Sequence, residues 1–156
     1  MNSSRKTANN AAANAADAIV ELISQSFRLN SRLQATADRM ARDAGLTGTR
    51  WQVLNAVAQA TRPATISDIA RWMGLARQSV QQVANALAED KLIAYQPNPK
   101  HRRAPLVVVT KKAAKLLEQL DDQRYAWARA VATTLPVADI KVANEVLRAV
   151  REKLSD

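Results

Sequence analysis

The chain has 156 residues, of which 47% are hydrophobic and 24% charged, a composition typical of one folded domain and not of a disordered segment. Aromatic residues make up only 4% while alanine is abundant, which favours helices over a β-sandwich. The net charge of +9 indicates an anionic partner, either nucleic acid or an acidic membrane surface. The absence of cysteine excludes disulfides, thiolate nucleophiles and Cys-type zinc sites.

The N-terminal segment shows no targeting or membrane signal. It reads MNSSRKTANNAAANAADA and lacks the apolar core of a secretory signal. No stretch of the chain approaches the ~18 apolar residues that a membrane-spanning helix needs. We therefore expect a cytoplasmic protein without a membrane partner, and a mobile tail over about the first dozen residues.

Two helices are predicted in the first part of the chain. Apolar residues recur at spacings of three and four over about 15–44, which predicts a long amphipathic helix. Gly45 is placed to end it, because glycine is the usual residue just after a helix. A second helix is predicted over about 49–60, before the breaker TRPAT at 61–65.

The next two helices predict a helix-turn-helix. Thr65 stands three residues before Asp68, and this T-x-x-D spacing is that of a capping box at a helix start. The third helix is short and ends near Gly74, which allows a sharp turn into a fourth helix over 76–90. Two helices separated by one turn glycine are typical of a helix-turn-helix.

A β-ribbon and two more helices complete the predicted elements. The segments IAYQ at 93–96 and LVVVT at 106–110 read as strands, joined by the basic loop NPKHRRAP at 98–105. Apolar periodicity then predicts helices over 111–134 and 137–154. The predicted fold class is therefore mostly α, a winged helix-turn-helix with a small β-ribbon wing between long N- and C-terminal helices.

The fourth helix has an apolar side and an amide side. At ~100° per residue, one side carries Val80, Val83, Ala84 and Leu87. The opposite side, which we call the amide face, carries Gln78, Gln81, Gln82 and Asn85, flanked by Arg77 and Ser79. An amide donates and accepts together and so matches the adenine edge in the major groove, while Arg77 can pair with guanine or a phosphate. The alternative is that these amides only solvate an exposed helix.

The ribbon loop, which we call the wing tip, is strongly basic. From 98 to 112 the chain has no acidic residue and carries Lys100, Arg102, Arg103, Lys111 and Lys112. Positive charge at this place predicts contact with the DNA backbone or with a narrow minor groove, for which arginine is suited. The alternative is a solvated hairpin tip.

The order of these elements resembles the multiple antibiotic resistance regulator (MarR) family of bacterial transcription factors. The resemblance rests on TISDIARWMGLARQSVQQVANALAEDKLI at 65–93 and NPKHRRAPLVVVTKKAAKLLEQL at 98–120. It implies one MarR-like domain over 1–156, with a DNA-binding lobe at 47–111 and dimerisation helices at 15–46 and 112–156. It also implies a homodimer on a pseudo-palindromic site, often released by a small aromatic or anionic effector.

The resemblance assigns DNA contacts to residues that the helical geometry also selects. The recognition-helix contacts fall on Arg77, Gln78, Ser79, Gln81 and Gln82, and the wing arginine falls on Arg103, with Arg102 and Lys100 nearby. Three positions depart from the family pattern, because His101 replaces a wing aspartate, Lys91 replaces a glycine, and Ala76 replaces a capping Ser or Thr. Since protonated His101 would repel Arg103, we hypothesise a looser and pH-sensitive wing.

A homodimer and an effector site are further expectations. The apolar stripes of 137–154 and of the first helix exceed what a small winged lobe can cover, so we expect a two-fold dimer, with a compact monomeric bundle as the alternative. Arg50 and Trp51 offer a cation and a ring to a small aromatic anion. For Trp51, a place in the core is the alternative.

The expected function is sequence-specific binding of double-stranded DNA by a transcriptional regulator, most simply a repressor. An enzyme is disfavoured, because the chain has one histidine, no phosphate-cradling glycine loop and no metal-ligand spacing, and no cofactor is expected. The main alternative is an architectural protein that binds DNA without sequence preference. A winged helix that binds another protein is a third possibility, which the positive charge disfavours.

Overall fold

The computed structural model describes the backbone of residues 2–154 and the side chains of residues 13–154. In chain order its elements are α1 (Asn2–Arg42), α2 (Gly48–Gln59), β1 (Ala64–Thr65), α3 (Ile66–Met73), α4 (Arg77–Glu89), β2 (Ile93–Gln96), β3 (Leu106–Val109), α5 (Lys111–Ala132) and α6 (Val137–Lys153). The predicted class, mostly α with a winged helix-turn-helix, is confirmed. The chain divides into two compact units, Met1–Ala113 and Ala114–Asp156.

The helix-turn-helix is formed by local signals at the ends of α3. The Thr65 hydroxyl accepts from the Asp68 backbone N–H at 3.2 Å, and the Asp68 carboxylate accepts from the Thr65 backbone N–H at 3.0 Å. This is the predicted capping box. Gly74 has a φ of 64° and ends the helix in the left-handed conformation, so α4 leaves in a new direction.

The core of the first unit lies where α2, α3 and α4 meet the sheet. Each element contributes a fully buried aliphatic side chain: Leu54 from α2, Ile69 from α3, Val80 and Leu87 from α4, and Val107 from β3. Because α4 gives its apolar side to this core, its amide face is directed elsewhere. The predicted core side of this helix is therefore confirmed at Val80 and Leu87.

The sheet has three strands, not the two of the predicted ribbon. It is antiparallel in the order β1–β3–β2, with Val107 of β3 opposite both Ala64 of β1 and Tyr95 of β2. The segment that contains β1 was interpreted only as a breaker. A strand of two residues is too short to show alternation in sequence, and it exists here because it pairs with β3.

Helix α1 is longer than predicted. It begins at Asn2, so the expected tail over the first residues is wrong, and the segment joins the helix instead. Alanine has the highest helix propensity, and the run AAANAA allows a helix to continue into this region. At the other end, Gly45 has a φ of 70° just after the helix, as expected for a stop. Among the described helices, none is both long and apolar enough to cross a membrane.

Lys91 ends α4 in a conformation that favours glycine. Its φ is 60°, and the turn is closed by the Leu92 N–H, which donates to the Leu87 carbonyl at 2.8 Å. A side chain in the left-handed region is strained by about 1–2 kcal/mol. We expect Lys91→Gly to stabilise the protein by about 0.5–1 kcal/mol after the added chain entropy of glycine is subtracted, measured as the midpoint of urea unfolding.

Lys115 in α5 provides the matched control for this prediction. It is exposed in a right-handed helix, so Lys115→Gly should destabilise the protein by about 0.7 kcal/mol. If both substitutions lower the free energy of unfolding by the same amount, Lys91 is not strained.

Candidate nucleic-acid interface

The polar side of α4 faces solvent. Gln78, Gln82 and Asn85 are exposed and Gln81 is partly exposed, while the apolar side is buried. The two flanking residues that were predicted to contact DNA, Arg77 and Ser79, are also exposed. The five predicted recognition-helix residues are therefore all accessible to solvent, as contact with base edges requires.

A tyrosine from the wing joins the amide face. The Gln81 amide nitrogen donates to the Asn85 side-chain oxygen at 2.8 Å and to the Tyr95 hydroxyl at 3.1 Å. The Tyr95 hydroxyl in turn donates to the same Asn85 oxygen at 3.4 Å. We call these three residues the amide triangle. Tyr95 was not among the residues predicted for this face, although the spacing of four between Gln81 and Asn85 predicts that these two meet on the helix surface.

The two ends of α4 are held differently. At its start, the N-cap is Ala76, which has no side-chain oxygen and makes no side-chain cap. The backbone N–H groups of the first turn therefore remain available to an anion such as a DNA phosphate. At its end, Asp90 forms an ion pair with Arg50 of α2.

Two cations bind the C-terminal end of α4. Besides its ion pair with Asp90, Arg50 donates through Nη2 to the Ala86 carbonyl at 3.4 Å. Lys112 donates through Nζ to the Asp90 carbonyl at 3.0 Å. Cations at this position stabilise a helix because its last carbonyls carry partial negative charge, and the Ala86 carbonyl accepts from Arg50 in addition to the Asp90 N–H. Helix α4 is thus fixed from α2 and from the first turn of α5.

Asn98 organises the wing tip. Its side-chain nitrogen donates to the Ala104 carbonyl at 2.8 Å, and its side-chain oxygen accepts from the Lys100 N–H at 3.0 Å. Asn98 is the buried polar residue of this loop, 9% exposed. These bonds span the tip, so Lys100, Arg102 and Arg103 project into solvent from a closed turn. The cations were predicted from the sequence, whereas the asparagine that closes the loop was not.

His101 and Lys100 lie at one side of a surface cleft. The cleft has a volume of about 340 Å³ and extends from the wing tip to Trp72 of α3. Trp72 is 52% exposed and also borders a second cleft of about 390 Å³. Neither cleft is lined by Arg50 or Trp51. The pH sensitivity hypothesised for His101 stays a prediction.

The two residues expected to bind an effector are placed on α2. Trp51 is 6% exposed, and its indole N–H has no hydrogen-bond partner within the described part of the chain. The same holds for Nε of Arg50, whereas Nη2 of Arg50 is engaged by Asp90. The pair thus offers two buried donors without an acceptor, and an anion would have to compete with Asp90 for the guanidinium.

The capping box makes the stability of the lobe depend on pH. The hydrogen bond from the Thr65 hydroxyl, and next the bond from its backbone N–H, lower the pKa of Asp68 below its ordinary value. Since the folded state has the lower pKa, this stabilisation is present above the unfolded pKa and is lost as pH falls through the folded one. We expect Asp68→Asn to flatten the decline of the unfolding midpoint below about pH 4.

Thr65→Val tests the cause of this acid dependence. It removes the hydroxyl, the largest contribution to the lowered pKa, while the backbone N–H remains. Its unfolding midpoint should therefore follow a course between those of the original protein and Asp68→Asn as pH falls. If the unfolding midpoint falls with pH in the same way in all three proteins, the prediction is contradicted.

The described side chains do not bring three His, Asp or Glu residues together as a metal site.

A model of the MarR family matches residues 44–104. The uncharacterized protein Rv2011c of Mycobacterium tuberculosis is 31% identical over 132 residues, which are 85% of this chain and 91% of that protein. The transcriptional activatory protein BadR of Rhodopseudomonas palustris is 31% identical over 113 residues, which are 69% of this chain and 65% of BadR.

Solved structures share the fold at low sequence identity. A MarR family transcription regulator is similar with a TM-score of 0.77 and 16% identity, over 92% of this chain and 94% of the other. MepR of Staphylococcus aureus in complex with DNA has a TM-score of 0.74 and 20% identity, over 84% and 96%. S. aureus MarR in complex with salicylate and kanamycin has a TM-score of 0.68 and 19% identity, over 86% and 93%. The chain belongs to the MarR family of DNA-binding transcription regulators.

Proposed function

We propose that this protein is a repressor that binds a pseudo-palindromic operator as a homodimer and acts in the cytoplasm. The observation that carries the proposal is that α4 has an exposed, uncharged amide face and that the wing tip has exposed cations. An uncharged face attracts phosphates weakly and discriminates by hydrogen bonds to bases. A cationic loop attracts any DNA, so the two surfaces divide specificity from affinity.

The proposed contacts follow from this division. Gln78, Gln81 and Gln82 read base edges in the major groove, with Ser79 and Arg77 at the phosphates or at guanine. Lys100, Arg102 and Arg103 lie against the backbone or the adjacent minor groove. MepR, which has a similar fold, is complexed with DNA, and this supports the same type of partner here.

The proposed homodimer rests on exposed apolar side chains in both terminal regions. In α1, Val20 is 64% and Phe27 72% exposed. In α6, Val142 is 59% and Leu147 41% exposed, and the described residues of this helix include none that is buried. Apolar surface of this extent is unfavourable in water, and a two-fold interface would bury it. A dimer also places two recognition helices about 34 Å apart, one turn of DNA.

A selection from random oligonucleotides with the purified protein tests the proposal. We expect an enriched pseudo-palindrome whose half-sites are about one helical turn apart. At physiological salt the protein should prefer this site over unrelated DNA by about 10³-fold or more. An architectural protein would enrich no motif and bind all sequences alike. Light scattering on the same sample should give twice the mass of the chain, and the mass of a single chain would reject the dimer.

The direction of regulation needs a separate measurement. A dimer that covers an operator excludes other proteins from the same DNA, which is why we propose repression. BadR is by name an activatory protein, so activation is the alternative. A reporter placed behind the selected motif should be expressed less when the protein is present, and increased expression would reject repression.

We further propose that a small aromatic anion is the effector and that Arg50 and Trp51 bind it. The support is the buried, unpaired donors of these two residues and the salicylate bound to S. aureus MarR. Calorimetric titration with salicylate should give heat with the original protein and none with Arg50→Ala. Asp90→Ala is the matched control, because it breaks the same ion pair but keeps the guanidinium.

The control decides between two explanations. If Asp90→Ala binds salicylate as well as or better than the original protein, the cation itself is required. Equal heats for the original protein and Arg50→Ala would reject the site. Loss of heat in Trp72→Ala instead would assign the ligand to one of the two clefts that Trp72 borders.

A further inference from the structure

The amide triangle leaves Gln81 and Asn85 with different hydrogen-bonding capacities. A glutamine amide nitrogen carries two hydrogens, and an amide oxygen has two lone pairs. One hydrogen of Gln81 goes to Asn85 at 2.8 Å and the other goes to Tyr95 at 3.1 Å. The Asn85 oxygen accepts twice, from Gln81 and from the Tyr95 hydroxyl at 3.4 Å.

The hydrogen-bonding groups that remain free on Gln81 and Asn85 are of opposite kinds. Gln81 keeps only its side-chain oxygen, an acceptor, and Asn85 keeps only its side-chain nitrogen, a double donor. Two-point recognition of adenine requires a donor and an acceptor from the same amide. While the triangle is intact, Gln81 cannot recognise adenine in that way. The side chains of Gln78 and Gln82 make no hydrogen bond within the described residues, so their amides can both donate and accept.

Tyr95 can impose this arrangement because it comes from a different element. Gln81 and Asn85 are four residues apart on α4, so they meet on the helix surface in either amide orientation. Tyr95 lies in β2, where its backbone is in register with Val107 of β3, a buried residue. In the structure the tyrosine hydroxyl accepts from Gln81 and donates to Asn85, so it occupies the hydrogen of Gln81 and the lone pair of Asn85 that their mutual bond leaves free.

We propose that Tyr95 is a positioning residue that sets the base preference of the recognition helix. It holds Gln81 as an acceptor, which suits the exocyclic amino groups of cytosine and adenine, and Asn85 as a donor, which suits the oxygens of guanine and thymine. The inference rests on the proposed function, since it concerns how the same surface reads DNA. It changes the expectation for Gln81, which was assigned to adenine by its chemistry alone.

Tyr95→Phe tests the inference because it removes only the hydroxyl. Without it, one Gln81 hydrogen and one Asn85 lone pair become free, and either amide can turn. Selections from random oligonucleotides should give motifs that differ from the original at one or two positions in each half-site, by about tenfold in relative affinity. The remaining positions and the salt dependence of binding should stay the same.

Two further variants separate positioning from a general loss of structure. Tyr125→Phe alters the other tyrosine of the chain, 58% exposed in α5, and should select the original motif. In the background of Gln81→Ala with Asn85→Ala, Tyr95→Phe should have no additional effect, because no amide remains to be oriented. An additional change in that background would overturn the inference.

The possible outcomes distinguish this inference from the function on which it rests. If the original protein selects a motif and Tyr95→Phe selects the same one, Tyr95 does not position the amides, and the proposed function stands. If the original protein selects no motif, both proposals fail. A changed motif for Tyr95→Phe, with an unfolding midpoint close to that of the original protein, supports the inference.

Discussion

Replacing Lys100, Arg102 and Arg103 together with alanine is expected to weaken binding to every DNA sequence. Each lost phosphate contact reduces the slope of log affinity against log salt by about 0.9, so three contacts on each of two subunits reduce it by about 5. The affinity loss should be about 100-fold or more at low salt and smaller as salt rises. Fluorescence anisotropy with the selected site and with unrelated DNA, over a range of salt concentrations, measures both quantities.

A charge-matched variant controls for the loss of positive charge. Replacing Arg28, Arg32 and Arg39 of α1 with alanine removes the same three charges from a chain of net charge +9. These three residues are exposed and lie outside the wing tip. Their loss should change the salt slope little. If the two triple variants lose affinity equally, DNA binding follows the total charge and the wing has no special place in it.

Leu87→Ala is expected to have the largest effect on folding. The side chain is fully buried on the core side of α4, and its removal leaves a cavity between the recognition helix and its support. Such a substitution destabilises a protein by about 2–5 kcal/mol, a large part of the roughly 5–15 kcal/mol typical of a domain. Urea unfolding followed by circular dichroism measures the loss.

Gln82→Ala is the control on the opposite side of the same helix. Gln82 is exposed, so the free energy of unfolding should change by no more than about 0.5 kcal/mol. The base preference should instead relax at one or two positions of the selected motif. A loss of stability equal to that of Leu87→Ala would show that the two sides of α4 have been assigned wrongly.

Features set by neighbouring residues were predicted well from the sequence. The Thr65 capping box and the Gly74 turn each depend on a few adjacent positions, and the structure has both. The strand Ile93–Gln96 has the predicted bounds. By contrast, β1 exists only through its pairing with β3, and a segment of two residues is too short for its pattern to predict a strand.

The parts of the candidate site that were missed depend on long-range contacts. Tyr95 is 14 residues from Gln81 along the chain, and Asp90 is 40 residues from Arg50. Periodicity identifies which face of a helix is polar, but it does not identify a partner on another element. Arg50 was interpreted as a free cation for this reason, whereas the fold uses its Nη2 group to hold the end of α4.

The division of α4 into a held side and an open side has a consequence for how this regulator can change its target. Val80, Leu87 and the Ala86 and Asp90 anchors attach the helix, and none of them belongs to the amide face. The residues that we propose to read DNA can therefore be exchanged with little effect on folding. Two positions are tied to a second element, because the Tyr95 hydroxyl accepts from Gln81 and donates to Asn85. A change in the preferred operator sequence should thus be simplest to obtain by substituting Gln78 or Gln82, whereas a new residue at position 81 or 85 should require a matching change in the wing.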